Sequence, residues 1–152
     1  MKTLEDWLEA YAVSHQNKTN KLIHYFCVPA IYFSIVGLLM SIPTGFLSKL
    51  NINEPVLVNW AVIVLIPVFI FYVRLSLKVA ILILIFSAIC VFANYQISII
   101  ANLWFVSVVI FVIAWILQFY GHHLEGKKPS FLKDIQFLLI GPAWILNALF
   151  KK

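Results

Sequence analysis

From Val79 to Tyr120 the chain carries no charged residue. About 20 helical residues cross a hydrocarbon core roughly 30 Å thick, so this run is too long for one crossing. It reads as a hairpin of two spans, roughly 79–95 and 100–120, turning near the polar patch of Asn94, Gln96 and Asn102. Lipid offers backbone groups no hydrogen bonds, so each span must satisfy its own as a helix. The whole chain agrees: 63% of its residues are apolar and 11% charged, with a mean hydropathy of +0.99. Soluble domains carry about a quarter charged residues.

Two further spans follow the same logic, Leu22 to Ile42, which Pro29 is expected to kink, and Val56 to Val73. Arg74 and Lys78 bracket a short turn after the second. Residues 4–13 place Leu4, Trp7, Leu8 and Tyr11 on one side and Glu5, Asp6 and Glu9 on the other, the pattern of an amphipathic helix lying on the membrane surface. The capping types in Asn17-Lys18-Thr19-Asn20 predict a new helix starting near Thr19 or Asn20. Residues 135–150 are apolar but short and interrupted by Gly141-Pro142, which predicts a re-entrant or interfacial hairpin. The expected fold is thus a single all-α integral membrane domain, residues 1–152. It has four transmembrane helices, an N-terminal amphipathic helix and the C-terminal hairpin.

With four spans, every lysine and arginine except Lys49 falls on one side, which predicts that both termini are cytoplasmic. A fifth span would carry Lys151 and Lys152 across, against that rule. The first twenty residues are polar and acidic, so the first apolar run is expected to be a retained span and not a cleaved leader. The net charge of +5 is then explained by topology and anionic lipid, with no nucleic acid. Cys27 and Cys90 lie within apolar runs, where a thiol acts as a small hydrophobe. Trp7, Tyr11, Tyr25, Tyr120 and Trp144 sit near run ends and read as an interfacial belt.

All four histidines stand at run ends, His15 and His24 before the first span and His122 and His123 after the fourth. The topology puts all four at one face. On an uninterrupted helix His15 and His24 would point in opposite directions, being about two and a half turns apart, so the chain must turn between them if they share a site. His122 and His123 point about 100° apart on a helix, so one of them is better aimed than the other. Glu125, three residues after His122, adds a carboxylate on that face and equally suits pairing with Lys127 or Lys128. Asn20, four before His24, suits a helix cap first and a hydrogen-bond partner of the site second. Two or three histidines with a carboxylate and open positions suit non-haem Fe(II); three histidines with a water suit zinc. Histidines that are merely interfacial, in a scaffold or lipid-binding protein, are the non-enzymatic reading.

S-H-x-x-x-x-N-x-x-I-H-x-x-x-V-P at Ser14 to Pro29, Q-F-x-G-H-x-x-E-G-x-x-P-S at Gln118 to Ser130 and L-L-I-G-P at Leu138 to Pro142 together resemble the Mpo1-like family of small multipass membrane proteins. The resemblance implies an Fe(II)-dependent dioxygenase of fatty-acid α-oxidation, converting a 2-hydroxy long-chain fatty acid and O2 to the acid one carbon shorter and CO2. It implies His15, His24 and His122 as the catalytic, iron-binding positions; His123 and Glu125 are further candidate ligands from their place in the sequence alone. A zinc-dependent lipid hydrolase or transferase, with Glu125 as general base, is the competing enzyme. The compact chain favours a bacterial inner membrane over the endoplasmic reticulum.

Overall fold

The computed structural model describes residues 3–13, 15–50, 54–126 and 139–145, and every regular element among them is helical. In chain order they are α1 (Leu4–Val13), α2 (Lys18–Met40), two short 3-10 helices (Gly45–Leu50 and Pro55–Leu57), α3 (Trp60–Leu75), α4 (Leu77–Ile100) and α5 (Leu103–Glu125). Residues 139–145 are also helical. The chain divides into two compact units, one of Met1–Tyr32 with Phe111–Lys152 and one of Phe33–Ile110, the division falling inside α2 and α5.

In the first unit, Thr3 and Asp6 cap α1 reciprocally. Asp6 Oδ2 accepts from the Thr3 N–H at 2.8 Å, and Thr3 Oγ1 accepts from the Asp6 N–H at 3.2 Å. The cap of α2 is Asn17, earlier than expected. Its Oδ1 accepts the Thr19 and Asn20 N–H groups at 2.8 and 3.2 Å, which lets the helix begin at Lys18 and run on through Pro29. The expected break at Gly141-Pro142 is absent, because residues 139–145 form one stretch of helix. Ile140, Ala143 and Ile145 are buried there. Gly141 lies so close to Val28 that an added Cβ would stand 2.9 Å from its Cγ1. The rest of the expected hairpin, 135–138 and 146–150, lies outside the described residues.

In the second unit α3 packs along α4, with an apolar cavity of about 460 Å³ between them lined by Leu65, Phe69, Ile83, Ala88 and Phe92. The helix α3 starts at Trp60, later than expected, because Asn59 caps it by accepting the Val62 N–H at 3.1 Å. That leaves 16 residues, about 24 Å of helix at 1.5 Å per residue. Its end is at Ser76, whose extended backbone breaks the chain before α4 while its N–H still bonds Tyr72 O. The hairpin expected to turn between 95 and 100 instead turns at Ala101-Asn102, where Asn102 Oδ1 accepts the Phe105 N–H at 3.0 Å. Asn94 and Gln96 therefore lie inside α4. Asn94 is fully buried, and its Nδ2 donates to Cys90 O and to Phe33 O of α2 at 2.9 and 3.1 Å. Gly37 permits this approach, since any Cβ there would collide with Asn94 Oδ1 and Ser107 Oγ.

Three helices, Lys18–Met40, Leu77–Ile100 and Leu103–Glu125, are long and apolar enough to cross a membrane. Their outward surfaces carry Phe26, Ile89, Ile99, Phe105 and Ile116, each more than half exposed, while Ser34, Ser87, Asn94 and Ser107 are buried. Large apolar side chains on the outside, with small polar ones buried beside an apolar core, depart from the order of a soluble domain.

Candidate metal centre

His15 sits in the non-helical stretch between α1 and α2, which supplies the turn that the spacing to His24 demanded. The turn brings His15, His24 and His122 together. Their ring centroids are 4.3 Å apart for His15 and His24, 5.6 Å for His15 and His122, and 5.0 Å for His24 and His122. One nitrogen from each lies within 4.8 Å of the other two, and all three residues are buried. Three nitrogens that share an ion at about 2.1 Å stand roughly 3.0–3.4 Å apart, so the rings need only close slightly.

Two of the rings are aimed by the backbone. His15 Nδ1 lies 2.7 Å from Tyr11 O and His24 Nδ1 lies 2.9 Å from Asn20 O, each four residues earlier. A carbonyl only accepts, so Nδ1 carries the hydrogen in both and the Nε2 lone pair is left free. His15 Nε2 is buried without a hydrogen-bond partner. An orphaned buried acceptor is costly, and an ion between the three rings would relieve it. Burial pushes the His15 imidazole down from 6.5 to about 4, against the pull of the Tyr11 carbonyl, so the ring is neutral at physiological pH as a ligand must be. The donor set fits a divalent transition metal with at least one position open.

The remaining candidates sit elsewhere. His123 is exposed on α5. Glu125 turns to the start of α2: its Oε1 accepts the Gln16 N–H at 2.7 Å, and its Oε2 accepts the Asn17 N–H and Asn20 Nδ2, each at 3.0 Å. Lys127 and Lys128 lie outside the described residues. Asn20 is not the cap of α2. It is fully buried, gives its amide to Glu125 and its carbonyl to His24, and has its Oδ1 pressed against Gly121.

Sequence reasoning missed the aromatic wall. Tyr11, read as part of an interfacial belt, is buried and stacks on His15 with centroids 4.1 Å apart and planes 6° apart. Trp144 leans on both Tyr11 and Tyr25, at 5.1 and 5.5 Å. The signal available was Tyr11 standing one helical turn before His15. Gln118 was quoted only as part of a motif. It is buried one turn before His122, on the same face of α5.

The sequence model described as 2-hydroxy-palmitic acid dioxygenase Mpo1-like matches residues 1–152. Comparison with curated proteins and with solved structures gives no match.

Proposed function

This chain belongs to the Mpo1-like family, and on that premise we propose that it is an Fe(II)-dependent 2-hydroxy fatty acid dioxygenase. The reaction is R-CH(OH)-COOH + O2 → R-COOH + CO2 + H2O. It balances without an outside reductant, since the hydroxy acid supplies all four electrons that O2 takes up. The observation that carries the reading is the cluster of three buried imidazoles with His15 Nε2 left unpaired.

His15, His24 and His122 hold the iron. When bound, the iron supplies the oxygen chemistry and a Lewis acid for the hydroxy acid. Tyr11 and Trp144 wall the His15 side and keep water from it. Gln118 offers a buried amide one turn from His122, to donate to the substrate carboxylate or accept from its hydroxyl. The chain crosses a membrane four times with both termini cytoplasmic, α3 making the shortest crossing, and its substrate reaches the site from the lipid.

Protein purified anaerobically without a histidine tag should retain iron, and with 2-hydroxypalmitate and O2 it should yield the C15 acid and CO2. No shortened product, or full activity after His24→Ala, would refute the proposal. Among the described residues the cluster is three histidines with no carboxylate, the donor set of a catalytic zinc, which favours a second reading, a zinc-dependent lipid hydrolase or transferase. One zinc per chain with no oxygen consumption would select it.

A further inference from the structure

We propose that Glu125 is a positioning residue of this centre. Its carboxylate locks the His15 turn and the start of α2 onto the end of α5, and so holds His15 and His24 at their spacing from His122. The inference rests on reading the three histidines as metal ligands.

Each ligand stands a short covalent step from this carboxylate. Glu125 follows His122 by three residues on α5. Gln16, whose N–H bonds Oε1 at 2.7 Å, directly follows His15. Asn17 bonds both oxygens, at 3.3 and 3.0 Å. Asn20, whose Nδ2 bonds Oε2 at 3.0 Å, is the residue whose carbonyl orients His24. One side chain thus ties together segments more than a hundred residues apart in sequence. Hydrogen bonds to a carboxylate are roughly twice as strong as neutral ones. Here they also meet N–H groups at the positive end of α2.

Residues 15–17 are non-helical, and bonds from His15 N and Gln16 Nε2 to Ala12 O and from His15 Nδ1 to Tyr11 O hold them back on α1. Those bonds set His15 relative to α1 and leave its distance from α5 free. Asn20 has little room to choose another pose, with its amide nitrogen on Glu125 and its oxygen against Gly121. Both oxygens of the carboxylate accept from Gln16, Asn17 and Asn20, and the cluster of donors among the described residues is His15, His24 and His122, so its role is exercised through the histidines and not by contact with the ion.

The test is Co(II) titration of the full-length, metal-stripped protein, followed by its ligand-field absorption. Glu125→Ala should weaken Co(II) binding roughly 10–100-fold, the usual cost of losing a residue that orients ligands, while the spectrum at saturation stays that of the wild type. Asn20→Asp, which sets two carboxylates face to face, should weaken binding similarly. Adding Glu125→Gln to it should recover most of the loss, because the new amide donates to the new carboxylate. Should Glu125→Ala fail to fold, Glu125→Gln alone carries the measurement. Wild-type affinity in the Glu125 variant overturns the proposal. So does a spectrum at saturation that reports a lost oxygen ligand, or a double variant no better than Asn20→Asp. A wild-type protein that binds no Co(II) refutes the metal centre itself. Binding that weakens as expected in a protein without dioxygenase turnover upholds the positioning role and refutes only the reaction.

Discussion

Replacing Gly121 by alanine should destabilise the protein, and should stabilise it once Asn20 is also alanine. An added Cβ at Gly121 would stand 2.5 Å from Asn20 Oδ1, about 0.9 Å inside ordinary contact. Asn20 is fully buried and its amide nitrogen is held by Glu125, so the oxygen cannot simply swing away. Overpacking of this kind costs about 1–3 kcal/mol. Against it stands the helix-propensity gain of alanine over glycine, about 0.8–1 kcal/mol within α5. The net effect of Gly121→Ala is a loss of about 0–2 kcal/mol. In the Asn20→Ala background the obstructing oxygen is gone, only the propensity gain remains, and the sign reverses to a gain of about 1 kcal/mol. Thermal unfolding of the four proteins in one detergent, followed by far-UV circular dichroism, reads this as a shift of about 2–4 °C per kcal/mol for a chain of this size. Additive effects of the two substitutions would refute the reasoning.

Three further outcomes are expected. The metal-free protein should be most stable above about pH 6.5 and lose stability as pH falls towards 4, because the unfolded His15 binds its proton first; the share of His15 in the loss reaches about 3 kcal/mol at pH 4, and His15→Gln should make the profile shallower over that window. Gln118→Leu should raise KM for a 2-hydroxy acid by roughly tenfold or more with metal content unchanged, since an unpaired polar group of the substrate costs about 1–3 kcal/mol. Gly37→Ala should destabilise by about 1–3 kcal/mol through collision with Asn94 and Ser107, and adding Ser107→Gly should recover part of it in the same unfolding assay.

The parts of this molecule that can be read without coordinates are those governed by local rules. The helix α1 follows from the spacing of Leu4, Trp7, Leu8 and Tyr11, and the break before α2 from a cluster of capping residues, although the cap proved to be Asn17. His15, His24 and His122 stood out because polar rings at the ends of apolar runs are few. What stayed hidden depends on partners distant in sequence. A polar residue in an apolar run reads as a turn, yet Asn94 is buried and bonds the backbone of α2. An aromatic near a run end reads as an interfacial anchor, yet Tyr11 stacks on a histidine. Glu125 was equally compatible with a lysine and with a metal, and the backbone N–H groups of Gln16 and Asn17 that it accepts carry no residue-type signature.

The three rings at the centre come from opposite ends of the chain, and this sets an order of events during synthesis. When His24 is made, 98 residues (122 − 24) still separate it from His122, roughly 5–20 s of elongation at 5–20 residues per second. Through that interval a nascent chain displays only two imidazoles, on a turn that α5 has not yet arrived to hold. On the proposed reading, a metal held by all three rings can therefore be loaded only once α5 has been made.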